Sequence, residues 1–585
     1  MSNLPQNIAK NSWLGIILII LFVLSAYSPI LQSPFKVIYD SDHIVNNPVL
    51  QNFDNTGKIL TNSLFKADML YRPVVFLSHA AEYQAFTLTP FFYYLVNIFL
   101  HLGCALLVYA LMVLLTRERS LGFLTALLFA VHPAHWEVVS LLSGRGDLFN
   151  TFFNLAALTA CILYMRRLNG GWMLLSLMCF SLALLSHESR GFLVWIFFFY
   201  FLCVTTDEQS KGVRWLAFLP YAVVAFLFMG LRHGLAGLRL SAQGDHLDAG
   251  IGILAAAKSV LLEAGALIIP ADVHYHRTAA FLNGPQDIAA FVALALLLTG
   301  LGALWIFRKK VDGVVIFLLV WFFVALWPVL KIAFTTGIGP SRLPLTGAVV
   351  YMPLIPLAAL VVMGAQKLLV STGSHSSLAK PLVTTAAVGF ITLFFLLTFR
   401  QNVLSGDESA MLEEAQRREP TNASIEYSLG LVAMDRKITA DAQDHFERAS
   451  QLDPELVGAR MGLGKVLYDQ GKFLDAVKVY ESVQKPGRYQ AVLENNLRAT
   501  YGILISNQEA LLQKNSQDVN AYFSLGVFYA QLGEWGRSIA AYQNVIDLDP
   551  HNQTGTTRLA LQFQGMIYQE LGNTAKAQEN FDRAR

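Results

Sequence analysis

The chain has 585 residues, 54% of them hydrophobic and 12% aromatic, with only 14% charged. A soluble protein of that length carries about a quarter charged residues, so most of this one belongs in a membrane. A formal charge of +2, with no basic run interleaved with aromatics, gives no reason to expect nucleic acid as a partner.

From Met1 to about Phe399, apolar runs of membrane-spanning length follow one another, and from about Ser405 the sequence turns polar with a helical pattern. The expected fold class is therefore all-α, with a polytopic domain over 1–404 and a second domain over 405–585. Spans are expected at 12–30, 91–115, 120–136, 147–165, 172–187, 190–205, 213–231, 286–306, 313–331, 346–366 and 381–399, eleven at about 20 apolar residues apiece. The first has only Lys10 before it and no small-residue cleavage site, so it reads as a retained span rather than a removed signal. Cys104, Cys161, Cys179 and Cys203 lie in or at the ends of apolar runs and suggest no external disulfide framework.

Lys and Arg in short loops favour the cytoplasmic side. Arg117 with Arg119, Arg166 with Arg167, Lys211 with Arg214, Arg308-Lys309-Lys310 and Lys367 occupy alternate loops, so all are cytoplasmic if the N-terminus is. The intervening loops and the C-terminal domain are then external. Ile251–Ile269 is apolar but carries Lys258 and Glu263; were it a span, the Arg308 cluster would fall outside. It is expected as an interfacial or re-entrant helix on the external side.

Four polar clusters reach that external face. The first loop holds Asp40, Asp42, Asn46 and Asn47, with Arg72 before the second span. His132-Pro133-Ala134-His135-Trp136-Glu137 precedes Ser143-Gly144-Arg145-Gly146-Asp147. Ser186-His187-Glu188-Ser189-Arg190 follows, then Asp272-Val273-His274-Tyr275-His276-Arg277. Ionisable residues at span ends, with His and Arg repeatedly beside carboxylates, point to a site. The chemistry that fits is group transfer from an anionic, lipid-linked donor: cations stabilise charge developing on a leaving phosphate, and a carboxylate takes the attacking hydroxyl's proton.

Asp40 or Asp42 could be that base. Arg72, Arg145, His274, His276 and Arg277 could bind the phosphate, and His132, Glu137, Asp147, His187 and Glu188 complete the donor-binding set. Asp40 and Asp42 together could also hold a divalent metal, although no His/Cys spacing demands one. Simpler readings compete. An Asp-x-Asp in a loop is often a turn or cap, His132-Pro133 can serve only to stop a helix, and Arg190 and Arg277 can be interfacial anchors. Trp136, His43 and Tyr275 suit a membrane interface for reasons unrelated to chemistry.

Beyond Arg400 the sequence repeats with a period near 34 residues and the small/large pattern of tetratricopeptide helix pairs. The first repeat shows Leu429-Gly430, Ala442, Phe446, Ala449 and Pro454. The second has Leu463-Gly464, Ala476, Tyr480 and Val483, with an early Pro486; a shortened third follows with Leu497 and Ala510. The fourth has Leu525-Gly526, Ser538, Tyr542, Val545 and Pro550, and the fifth Gly565, Ala577, Phe581 and Ala584. Such solenoids present a concave surface to peptides or partner helices; a rigid spacer is the plainer alternative. The last repeat stops at Arg585 without the polar helix that normally covers its apolar face, so that face is expected to pack on a partner or another copy.

Read in order, the membrane clusters resemble the transmembrane and tetratricopeptide-repeat-containing O-mannosyltransferase family and its bacterial relatives, of the GT-C glycosyltransferase fold. The stretches that carry the resemblance are Tyr39-Asp40-Ser41-Asp42 with Asn47-Pro48, Tyr71-Arg72-Pro73 leading to Asn97 and His101, and Ala126–Pro133 with Glu137. Ser143–Leu148 and Leu184–Glu188 complete the set, which covers about the first 190 residues. The family has adjacent acids in the first loop, where Ser41 intervenes here, and Lys where His187 stands, which would make a phosphate contact at His187 pH-sensitive. Relatives also show an acidic-Arg pair close to a Tyr-x-Pro, whereas Ser341-Arg342 is well separated from Tyr351-Met352-Pro353.

The resemblance implies sugar transfer from a polyprenyl-phosphate donor to a protein Ser/Thr hydroxyl on the periplasmic or luminal face, with a bacterial inner membrane favoured over the endoplasmic reticulum. The repeats would bind the protein acceptor or a partner. No Gly-rich phosphate loop joins a strand to a helix, which favours a lipid-linked donor. A non-catalytic scaffold or transport component of cell-envelope polysaccharide assembly is the alternative.

Overall fold

Sixteen uncharged residues in lipid can satisfy their backbone only as a helix, and helix α1 (Ser12–Tyr27) is the result. The computed structural model describes residues 12–38, 40–51, 55–61, 71–204, 211–236, 249–270, 273–275, 278–280, 286–330, 342–344, 347–372, 379–484 and 486–585, with backbone alone for a few, among them Asp42 and Glu188. Among the described residues the chain is all-α apart from an antiparallel pair of three-residue strands, β1 (Thr278–Ala280) and β2 (Arg342–Pro344), in which Thr278 faces Pro344. It divides into two compact units, Met1–Pro420 and Thr421–Arg585.

In the first unit α1 is followed by α2 (Pro73–Phe86), α3 (Pro90–Thr116), α4 (Arg119–Ala130), α5 (Arg145–Arg167) and α6 (Gly170–Ser186). Then come α7 (Val194–Cys203), α8 (Lys211–Ala236), α9 (Ala249–Ile268), α10 (Ile288–Phe307), α11 (Gly313–Ala325), α12 (Leu354–Thr372), α13 (Ala379–Leu404) and the polar α14 (Glu408–Arg418). Among the described residues six helices are long and apolar enough to cross a membrane, and six more are apolar but shorter. Each of the eleven expected spans falls on one of these twelve.

The twelfth is α9. Helix α8 ends where the Arg232 charge acts on His187, and α9 ends where the Leu267 carbonyl accepts a hydrogen bond from His132 Nε2 at 2.8 Å. Midway along α9, Lys258 Nζ meets Asp287 Oδ2 at 2.6 Å, and Asp287 caps the start of α10 by accepting from Ala290 N–H. One core of buried side chains from α1, α3–α13 and their connections holds this unit together.

The second unit pairs α15 (Ala423–Asp435) with α16 (Thr439–Leu452) and α17 (Val457–Asp469) with α18 (Phe473–Glu481). After the single helix α19 (Gln490–Lys514) come the pairs α20 (Val519–Gln531) with α21 (Trp535–Leu548) and α22 (Thr556–Glu570) with α23 (Thr574–Arg583). The repeat glycines explain the packing. A Cβ on Gly430, Gly526 or Gly565 would stand 2.6, 2.5 or 2.7 Å from the ring of Phe446, Tyr542 or Phe581 on the partner helix. The shortened third repeat has no such pair and no turn; it is the 25-residue α19.

Candidate functional site

The turn before α5 is unusually tight: a Cβ on Gly144 would lie 2.7 Å from Val138 Cα, so the chain can fold back there only without a side chain. Arg145 then points into the bundle and is wholly buried. Its Nε donates to Asn97 Oδ1 at 2.8 Å and Nη2 to the Tyr93 carbonyl at 2.6 Å. Nη1 donates to Glu82 Oε2 at 2.5 Å and Ser78 Oγ at 3.2 Å, and lies 3.0 Å from His79 Nδ1. Every guanidinium nitrogen is thus engaged, tying α5 to α2 and α3. Burial, and after it the Arg145 charge, push His79 down to about 4, so it is neutral and can accept from Arg145. Arg145 is a framework group here, and its counter-charge Glu82 was not among the residues singled out in the sequence.

Asp147, two residues on, faces the other way. Its Oδ1 pairs with Arg190 Nη2 and stands 3.8 Å from His187 Nε2. Arg72 Nη2 approaches the same His187 nitrogen at 3.3 Å. Arg72 lies against Gly146, where a Cβ would come within 3.4 Å of Nη1 and 3.2 Å of the Ser186 carbonyl. Burial, then the charges of Arg72, Arg190 and Arg232, hold His187 well below the usual histidine range. The described charges are three guanidiniums and one carboxylate around a neutral imidazole, a set suited to a phosphate.

Asp40 is buried at 1% exposure. Its Oδ2 accepts the Lys36 backbone N–H at 2.7 Å, whereas Oδ1 is buried without a hydrogen-bond partner among the described residues. Burial raises the carboxyl to about 7, against the lowering effects of the Lys36 N–H bond, the Lys36 charge and, last, Arg145; Glu408 adds to the rise. Lys36 Nζ donates to the Ser405 carbonyl, and Glu408 accepts from the backbone N–H groups of Val37 at 2.7 Å and Ile38 at 3.2 Å. Tyr94 donates to the Pro34 carbonyl at 2.8 Å in the same turn.

His132 acts as a cap. Its Nδ1 accepts from Ala134 N–H at 3.2 Å while Nε2 donates to Leu267, and burial pushes the ring down to about 4. Glu137 is half-buried in the short helix Trp136–Ser140. His101 joins this end through Tyr351 Oη at 2.7 Å and the Ala130 carbonyl at 3.0 Å. His274 pairs with Glu419 at 3.3 Å, away from the Asp147 group. His276 and Arg277 lie outside the described residues, as do the side chains of Asp42 and Glu188. No group of three or more His, Cys, Asp or Glu suited to a metal occurs among the described residues; the Asp42 side chain, the second carboxylate of the expected metal pair, lies outside them.

A tetratricopeptide-repeat model matches residues 427–491 and 508–552. A protein O-mannosyl-transferase of Caenorhabditis elegans is 25% identical over 440 residues, 72% of this chain and 60% of its own length. The human protein O-mannosyl-transferase TMTC3 is 23% identical over 578 residues, 88% of this chain and 61% of its own. The human TMTC1 enzyme is 31% identical over 191 residues, 29% of this chain and 21% of its own. The chain thus spans at most about three fifths of these relatives' length. Among solved structures, MamA is 22% identical over 28% of this chain and 89% of its own, at a TM-score of 0.14, too low to add to the repeats already described. By sequence, the chain is similar over most of its length to protein O-mannosyl-transferases and carries tetratricopeptide repeats.

Proposed function

We propose that the chain is a membrane glycosyltransferase that moves a sugar from a polyprenyl-phosphate-linked donor to a Ser/Thr hydroxyl of a protein. The observation that carries this reading is Asp40, a buried carboxyl with one oxygen anchored, the other without a hydrogen-bond partner among the described residues, and its titration raised to about 7. A general base works best with such a value. In the proposed step Asp40 Oδ1 takes the proton of the acceptor hydroxyl, whose oxygen bonds to the anomeric carbon. The bond from that carbon to the phosphate oxygen breaks, and its electron pair leaves on the lipid phosphate. Arg72 and Arg190, around Asp147, stabilise that charge. His187 contributes a neutral donor or acceptor, and Glu188 and Asp42 stay as further candidates beside them.

Counting of Lys and Arg supports a cytoplasmic N-terminus and an external site. The ends of α8 and α9 support an α9 that starts and finishes at the site end of the bundle, as an interfacial or re-entrant helix does. The repeats would present the acceptor or a partner, and the relatives' name makes mannose the first sugar to try. The test is transfer by the purified protein in lipid from a polyprenyl-phosphate mannose to a Ser/Thr-rich acceptor protein. Wild type should transfer, more so as pH rises through about 7, because the base must shed its proton. Asp40→Asn should lose roughly 10²–10⁴ of the rate while inserting normally. Unchanged transfer by Asp40→Asn, Asp42→Asn and the double variant would leave the scaffold reading standing instead.

A further inference from the structure

Asp40 does not hold its own position. Between α1 and the first loop the chain makes a turn, Lys36–Asp40, in which Asp40 N–H donates to the Lys36 carbonyl at 2.9 Å and Asp40 Oδ2 accepts the Lys36 N–H. The two N–H groups inside that turn, on Val37 and Ile38, have no partner within it. Both donate to one carboxylate, Glu408, from 371 and 370 residues further along the chain. Glu408 is buried at 7% exposure and is the first residue of α14, the helix that follows the last apolar helix and leads into the repeats. Lys36 closes the same contact from the other side, its Nζ on the carbonyls of Ser405 and, at 3.5 Å, Gly406.

The receiving segment is itself fixed. Asn402 Nδ2 donates to the Ala26 carbonyl at 2.7 Å, and Asn402 Oδ1 accepts from Ser140 Oγ at 2.6 Å. A Cβ on Gly406 would come within 3.1 Å of the Val403 carbonyl. A bidentate carboxylate on two successive backbone N–H groups makes strong charge-assisted bonds and fixes the direction of the turn.

We propose that Glu408 is a positioning residue for Asp40: by clamping the Val37 and Ile38 N–H groups it aims the carboxylate that takes the acceptor's proton. The inference rests on the reading of Asp40 as the base. Four groups face Asp40: Lys36 in its own turn and Arg145 from α5 favour its ionised form, Glu408 from α14 opposes it, and Tyr94 from α3 is a neutral hydroxyl whose own ionisation Asp40 hinders. Removing the Glu408 charge should therefore ease ionisation of Asp40, and removing the Lys36 charge should hinder it. A clamp that only held the fold together would leave kcat per folded molecule unchanged.

The experiment uses the full chain in lipid, with polyprenyl-phosphate mannose and a Ser/Thr-rich acceptor protein, and compares wild type with Glu408→Gln, Lys36→Met and Asp40→Asn. Glu408→Gln keeps the size but can accept only one of the two N–H bonds. It should lose about 10- to 100-fold in kcat, with donor KM within about twofold, and its acid limb should move to lower pH. Lys36→Met should move the acid limb to higher pH. Should Glu408→Gln not fold, Glu408→Asp decides: it keeps the charge but is one methylene short of the Val37 and Ile38 N–H groups, so kcat should fall with the acid limb little moved, and wild-type kcat would overturn the proposal. An Asp40→Asn variant that is dead beside Glu408→Gln and Lys36→Met variants with wild-type kcat and unmoved acid limbs overturns the proposal while leaving the base reading in place. An active Asp40→Asn variant sinks the base reading itself.

Discussion

At the scale of residues, the deepest charge is not at the proposed reaction centre. Arg145 and Glu82 form a buried pair in which each is the other's main compensation. Removing one leaves an uncompensated buried charge, which costs about 3–5 kcal/mol, whereas replacing both by apolar groups of similar volume is often close to neutral. Arg145→Met and Glu82→Leu should each lower the unfolding temperature of the detergent-solubilised protein sharply, and the double variant should recover most of the loss. Additive losses would show that the pair carries no such coupling. The pair also shows why part of the site could not be seen in the sequence. Arg145 stands in an exposed-looking Ser-Gly-Arg-Gly-Asp turn, and its burial depends on Glu82 and His79, more than 60 residues earlier. His132 was more legible. A histidine before proline at a helix end is as readily a cap as a ligand, and its ring accepts from Ala134 N–H while its other nitrogen donates to Leu267.

Among the elements, α9 and the repeats carry the sharpest expectations. If α9 starts and ends at one face, the stretches before and after it are accessible from the same side. Single cysteines placed at Gly244 and Gly284 should then react with an impermeant maleimide from the same side of sealed vesicles; reaction from opposite sides would make α9 a span. Lys258 and Glu263 marked this helix out in the sequence because charges at mid-helix are costly in lipid, and the Lys258–Asp287 pair shows how one of them is satisfied. In the repeats, Gly526→Ala would drive a methyl carbon into the Tyr542 ring. It should destabilise that helix pair by about 1–3 kcal/mol, read in the full chain as faster proteolysis between 515 and 555. Gly536→Ala, whose Cβ would meet nothing within 4 Å, should not. The helix pairs were legible because small and aromatic residues recur at fixed spacing. The third repeat has no glycine packed against a partner ring, its Gly502 meeting nothing within 4 Å, but a missing signal does not say which structure replaces the pair.

Over the whole molecule, periodicity made the fold legible and distance hid the site. Apolar runs announce spans one at a time, so eleven helices could be placed without knowing their neighbours. The Asp147 group needed Arg72, the His187–Arg190 turn and Arg232 to converge from three separate segments, and only the turn residues hinted at it. Least visible was Glu408, which looks like an ordinary acidic residue at a helix start. Its partners lie at the opposite end of the membrane unit's sequence. That separation has a consequence for how the protein is made. Chains grow from the N-terminus and their parts fold as they emerge, so the loop bearing Asp40 is among the first to be synthesised. Its clamp is among the last pieces of the membrane unit to arrive. Until residue 408 has been made and the last apolar helix is in place, the Lys36–Asp40 turn lacks the carboxylate that holds it, and a nascent or prematurely terminated chain carries the proposed base without its clamp. Completion of the membrane unit and readiness of its chemistry thus coincide in time.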